Sequence, residues 1–262
     1  MVYNWGTFSF DEPNFYLKFL RGNLLYYVSA DNFSDFSYEY VYEHRSIYEQ
    51  VLNGDSALKQ KILDAVNHNM QGSNRFYKYD FLLDNCTTRV KNIVFENSGA
   101  SVNTEIIPKE TTSRDLIHYY LERGGKPWTE LGIDILLGSR VDREISNDEA
   151  MFLPEFFMKG LDHAEKSDTR LVGGTKLLLA GSEPAPSSGK FLPLIFLTVV
   201  CLAIFIISTL KQRWAVATIK TIDALLLYVT GLIGIIIMFM WFGTDHTVCQ
   251  TISISPGHYP PI

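Results

Sequence analysis

Apolar positions follow three different patterns along this chain. Near the start they alternate or cluster with aromatic and β-branched residues. Tyr3–Phe10 and Leu24–Ser29 therefore predict strands, with turn chemistry at Asp11-Glu12-Pro13-Asn14 and Arg21-Gly22-Asn23. Further on they recur every three or four positions. Leu58, Ile62, Leu63 and Val66 predict a helix from Ala57 to Asn69 behind an Asp55-Ser56 cap. Leu116, Tyr119, Tyr120 and Leu121 predict a second, opened by Thr112 or Ser113 and closed by Gly124-Gly125. A third opens at Ser146 and gathers Met151, Phe152, Phe156, Phe157 and Leu161 on one side, interrupted by Pro154. Strands mixed with helices predict an α+β domain over residues 1–180.

The third pattern is uninterrupted. Phe191–Leu210 and Ile222–Phe242 are long apolar runs, the first without a charge and the second with only Asp223 at its edge. Each is long enough to cross a hydrocarbon core of about 30 Å as a helix. GSEPAPSSGK, residues 181–190, reads as a flexible tether into the first span. Lys211, Arg213 and Lys220 lie between the spans, and the tail 243–262 has no Lys or Arg. The positive-inside rule then places loop 211–221 in the cytoplasm and both the 1–180 domain and the tail outside. Trp214, Tyr228 and Trp241 sit near span ends, where interfacial aromatics are enriched. Ahead of Tyr3 no basic and apolar leader is visible. The sequence therefore predicts either insertion directed by the second half of the chain or a start downstream of the natural one.

One stretch carries candidate chemistry. In YKYDFLLDNCTTRV, Tyr79, Phe81 and Leu83 alternate as a short strand does, whereas Val90, Ile93 and Val94 share a helical face. Cys86 falls at the changeover. With Asp84 or Asn85 as N-cap, its sulfur sits in the first helical turn, where unpaired N–H groups and the helix dipole favour a thiolate. Backbone N–H groups at the same helix start are candidates to hold an oxyanion. The competing reading of Cys86 is a small buried hydrophobe that opens a helix.

Charge and cysteine count narrow the picture further. A formal net charge of −6 argues against a nucleic-acid partner, which needs a basic footprint. Cys86, Cys201 and Cys249 match no zinc spacing and no disulfide framework, although a Cys86–Cys249 bridge is conceivable in an oxidising compartment. No cofactor or metal is called for.

The blocks Val2–Val28, Tyr42–Asn53, Phe76–Val94, Ser113–Leu121 and Trp128–Pro154 together resemble the periplasmic domain of the Lnb family, and the resemblance continues into both apolar runs. It implies a Cys/His lipoprotein N-acyltransferase with a permuted papain-like thiol fold, anchored in the bacterial inner membrane with its main domain in the periplasm. Cys86 of Asn-Cys-Thr-Thr-Arg is then the nucleophile, and Asn85 and Arg89 either orient the site or brace its helix. The family's histidine belongs to a Phe-Gly-His segment upstream of the Val2 block, so the resemblance implies a chain truncated at its start. The end beyond Asp245-His246 departs from the family in the same way.

The implied partners are a membrane phospholipid, as acyl donor, and a diacylated lipoprotein, as acceptor. The alternatives are a thiol hydrolase of lipid esters or cell-wall peptides, and a noncatalytic envelope protein or inactive fragment. Within the chain His44 is the leading substitute base, with His68, His118, His163, His246 and His258 read as solvated. Asp134 and Asp142 are expected in turns and caps, and Asp245-His246 in a solvated loop. Tyr3, Trp5, Phe8, Phe15, Tyr16 and Phe19 are expected in the core, whereas Tyr26 and Tyr27 stay undecided between core and lipid groove.

Overall fold

The computed structural model describes residues 1–182, 189 and 191–246. The expectations for Cys249, His258 and most of the tether lie outside those residues. The aromatic start of the chain forms β1 (Val2–Thr7), followed by α1 (Phe15–Arg21) and β2 (Leu25–Asp31). Asn14 and Gly22, both left-handed, bracket α1. Next come α2 (Phe33–Tyr42), β3 (Ile47–Leu52), α3 (Ser56–Asn69), β4 (Phe76–Lys78) and α4 (Cys86–Ser98). Asp55 caps α3 by accepting the N–H of Leu58, as the sequence predicts.

β5 (Ser101–Val102) leads to α5 (Ser113–Arg123) and α6 (Pro127–Leu136), the latter started by proline at its first position. Pro154 acts the same way. It splits the predicted third helix into α7 (Asn147–Ala150) and α8 (Pro154–Asp162), because proline has no N–H to donate inside a helix. The short strands β6 (Ala164–Lys166), β7 (Thr169–Arg170) and β8 (Val172–Leu179) complete the outward part, before α9 (Leu192–Thr209) and α10 (Arg213–Phe242).

Three small antiparallel sheets form, in the orders β1-β2-β4, β3-β8 and β5-β6-β7. The first matters most. β2 is central, with Tyr26 opposite Tyr77, and the β1–β2 register shifts between Asn4 and Thr7. α3 and α4 pack on each other, and α4 lies against β1. Trp5, Val28, Val66, Tyr77 and Ile93 make the core there, and Val94, Leu161, Ala164, Leu171 and Val172 make a second around α4 and β8.

The described residues divide into two compact units. One comprises Met1–Ser113, the segment from Asp142 through β8, and the residues at Asp245; the other comprises Arg114–Val141 and the two apolar helices. Hence α6 and most of α5 cluster with the apolar helices, a grouping the periodicity of residues 1–180 does not reveal. In that second unit Trp128 of α6 meets Phe196 of α9 edge-on, with ring centroids 5.6 Å apart.

α9 has 18 residues and α10 has 30. At 1.5 Å per residue, α10 is about 45 Å long and exceeds a hydrocarbon core. Residues 213–221, expected in a loop, are its first turns, because neither Gly nor Pro interrupts them. The apolar side chains of both helices lie almost entirely exposed, which a core helix of a soluble domain would not tolerate. The architecture is therefore α+β with two exposed apolar helices. The early aromatics differ from expectation too: Trp5 is buried, but Tyr16 and Phe19 are exposed.

Candidate active site

Cys86 is the first residue of α4, placed there by Asn85. The Asn85 backbone is extended, and its Oδ1 accepts the N–H groups of Thr87 and Thr88 at 2.8 and 2.9 Å. The Thr88 hydroxyl returns the contact by accepting the N–H of Asn85 at 2.8 Å, so the box is closed. Asn85 Nδ2 donates to the carbonyls of Phe81, at 2.8 Å, and Phe152, at 3.0 Å, the second reaching the α7–α8 corner. This buried amide holds the turn together. It also answers the oxyanion expectation. The amides of Thr87 and Thr88 are occupied by the cap, and only the N–H of Cys86 itself has no acceptor among the described residues.

Arg89 lies one turn further along α4. It grips Asp84 through two parallel bonds, Nε to Oδ1 at 2.5 Å and Nη2 to Oδ2 at 2.6 Å, and its guanidinium stands 4.6 Å from the centre of the Tyr77 ring. Burial pushes the Asp84 carboxyl above its ordinary range, against the pull of Arg89. Asp84 and Arg89 thus clamp the two sides of the Asn85 turn.

The surroundings of the thiol come from the β1-β2-β4 sheet. Cys86 and Val90 pack against the cluster of Trp5, Val28, Val66, Tyr77 and Ile93, with Tyr3, Tyr26 and Tyr79 beside them. A Cβ on Gly6 would stand 3.9 Å from that of Cys86 and 3.2 Å from Asn4 Oδ1, so the strand runs close to the thiol at a glycine. The register shift of β1 falls at this spot; bulges are over-represented beside active sites, where they re-aim the chain.

Four tyrosines lie within electrostatic range of the sulfur. Burial, then a charge on Cys86, pushes the Tyr26, Tyr77 and Tyr79 hydroxyls up. Tyr40 on α2 is also raised by burial, lowered by Arg45, and raised again by Cys86. All four therefore stay protonated at neutral pH. The Tyr77 hydroxyl donates to the Trp5 carbonyl at 2.5 Å, and Trp5 Nε1 is buried without a hydrogen-bond partner among the described residues. Periodicity alone does not group these tyrosines around Cys86. The local signal is the spacing of Tyr77 and Tyr79, two positions apart, which places both on one face of an extended chain.

The histidines are dispersed. His44 follows α2, four residues after Tyr40, with a left-handed φ of 55° and an exposed ring that forms no hydrogen bond among the described residues. Its carbonyl accepts the N–H of Ser182 at 3.0 Å. His118, expected in solvent, is instead partly enclosed in the second unit. Its Nε2 is 2.8 Å from Asp134 Oδ1, which also takes Arg114 at 2.6 Å. Asp134 belongs to α6 rather than to a turn, and Asp142 to a short 3-10 segment, Ser139–Asp142.

Nor is Asp245-His246 a free loop. Asp245 pairs with Lys78 at 2.6 Å and donates its N–H to the carbonyl of Arg21, and His246 Nε2 lies 3.1 Å from the carbonyl of Phe19. Among the described residues no cluster of His, Cys, Asp and Glu is arranged to hold a metal ion. A cleft lined by Thr88, Lys91, Arg143, Asp148 and Glu149 does not include Cys86, and its charges pair within it, Lys91 with Asp148 and Arg143 with Glu149.

Comparison with known families bears on this arrangement directly. The family model described as the Lnb N-terminal periplasmic domain matches residues 2–119, and that described as the Lnb transmembrane domain matches residues 185–254. The chain belongs to the Lnb family. No curated protein and no solved structure matches it. As an Lnb chain it is a membrane protein with a periplasmic domain, and Cys86, Asn85 and Arg89 all fall inside the periplasmic match. Family membership points to a membrane-anchored enzyme of lipoprotein modification.

Proposed function

We propose that this Lnb chain is a thiol acyltransferase of the inner membrane. In this reading an acyl group passes from a phospholipid, through a thioester on Cys86, to the free α-amine of a diacylated lipoprotein. The observation that carries the reading is the place of Cys86: first residue of a capped helix, against a glycine in a strand irregularity, in a periplasmic domain joined to apolar helices. A cysteine at a helix start against a sheet also supports the papain-like reading of the fold.

The steps balance simply. The thiolate attacks the ester carbonyl, the C–O bond breaks, and the lysophospholipid leaves as an alcohol with a proton from the base. The amine then attacks the thioester, the C–S bond breaks, and the amine proton returns through the base to regenerate the site. The amide of Cys86 is the donor positioned for the oxyanion. Asn85 and Arg89 act as positioning residues, one capping the helix and the other clamping Asp84. His44, which follows α2 with an exposed ring that makes no hydrogen bond among the described residues, is the in-chain base of this proposal.

The test is intact-mass analysis of the full chain after incubation with phospholipid. An acyl adduct is expected on the parent, absent from Cys86→Ala and strongly reduced in His44→Ala. An adduct confined to a longer form carrying the family's Phe-Gly-His segment would transfer the base role to that segment. Release of free fatty acid without an amine acceptor would replace transfer by hydrolysis. Cys86 alkylation no faster than that of a simple free thiol would overturn the enzymatic reading.

A further inference from the structure

α1 has the sequence FYLKFLR and buries none of its seven residues. Tyr16 is 77% exposed, and Phe19, Leu20 and Leu17 are each about half exposed; Phe10, just ahead of the helix, is 71% exposed. These side chains are contiguous. Ring centroids run from Phe10 to Phe15 at 4.9 Å, and from Phe15 to Tyr16 at 5.4 Å and Phe19 at 6.4 Å. In the other direction Phe8 meets Phe10 at 5.0 Å and Tyr26 at 5.1 Å, and Tyr26 stacks on Tyr79 at 4.4 Å, beside the thiol. An exposed aromatic and aliphatic patch therefore continues without a break into the surroundings of Cys86. A patch of this kind on a soluble surface marks a binding face.

The chain itself indicates what covers it. α10 ends at Phe242, and only Gly243 and Thr244 separate that end from Asp245. Asp245 and His246 are fastened to the carbonyls of Arg21 and Phe19, at the C-terminal end of α1, and Asp245 is held again by Lys78. The strand of chain leaving a membrane span is thus bound to the same short helix that carries the patch. Tyr, Phe and Leu with Lys18 and Arg21 at the polar edge are the side chains of an interfacial helix.

We propose that α1 and the preceding Phe8–Phe10 segment form a lipid-docking surface, seated in the headgroup–acyl boundary of the outward-facing leaflet. The occupant is the bilayer rather than a protein partner. The inference rests on membrane anchoring and not on acyl transfer, so it stands or falls separately from the role of Cys86.

The experiment uses the full chain in phospholipid vesicles, with Tyr16→Trp compared with the parent and with Leu226→Trp, a lipid-facing reference on α10. Tyr16 is so exposed that the larger ring adds no buried volume. The emission added by Tyr16→Trp is expected to be quenched by brominated phospholipids, more by bromine near the headgroup end of the acyl chain than by bromine near its terminus, and to be shielded from iodide in the buffer. Added emission that iodide quenches and brominated lipid leaves untouched would overturn the proposal. An unchanged rate of Cys86 alkylation confirms that the variant is folded.

Discussion

Every polar atom of the Asn85 side chain is engaged, two N–H groups on its oxygen and two carbonyls on its nitrogen. Asn85→Asp separates these tasks. It keeps the cap but leaves the buried carbonyls of Phe81 and Phe152 without a donor, a loss of about 2–6 kcal/mol at roughly 1–3 kcal/mol per unmade buried bond. The variant is expected to lower the midpoint of denaturant unfolding accordingly. The added carboxylate beside the sulfur disfavours the thiolate, so alkylation of Cys86 at neutral pH is expected to slow; an unchanged rate would remove Asn85 from the list of positioning residues. Sequence offers Asp84 or Asn85 as the cap of α4, since an Asp-Asn pair before Cys-Thr-Thr and an apolar helical face is a local signal, and the structure gives the cap to Asn85. Sequence leaves open whether Asn85 orients chemistry or braces the helix, because the second carbonyl comes from Phe152, 67 positions away.

Among the elements, legibility follows locality. α3, α4 and α5 announce themselves by caps and three-to-four spacing, and β1 and β2 by aromatic and β-branched residues between turns. α1 is apolar at five of its seven positions and too short for its Lys18–Arg21 edge to set a period, and β8, VGGTKLLL, contains two glycines and gains its strand identity only by pairing with β3. Gly6 is another element-scale feature. A side chain introduced there would meet Asn4 Oδ1 and the Cβ of Cys86, and both belong to the way β1 meets α4. Gly6→Val is therefore expected to leave far-UV dichroism unchanged while it excludes a bulky maleimide from Cys86 more than small iodoacetamide. Equal reactivity with both reagents in the variant and the parent would show that β1 does not wall the thiol.

At the scale of the whole molecule, hydropathy located the two apolar helices but not their full lengths, and it could not assign α6 to their unit. That assignment comes from tertiary contacts such as Trp128 on Phe196, which leave no mark in a local pattern. The orientation argument rests on Lys211, Arg213 and Lys220. In a background lacking the native cysteines, Lys211→Cys is expected to react with a membrane-impermeant maleimide only from the cytoplasmic side, and Ser9→Cys only from the outside. The reverse labelling would invert the topology and remove the thiol from the compartment in which lipoprotein N-termini are displayed.

The hydroxyl of Tyr77 on the carbonyl of Trp5 joins positions 72 apart, whereas the amide of Gln50 on the hydroxyl of Thr175, along the β3–β8 seam, joins positions 125 apart. Loop closure grows with the logarithm of length, so the shorter link forms at an entropic advantage of about 0.5 kcal/mol. During folding the wall around Cys86 can therefore close before the strand that leads into the membrane tether has found its partner. An incompletely assembled chain would already shelter the Cys86 sulfur from oxidants and from stray disulfide exchange.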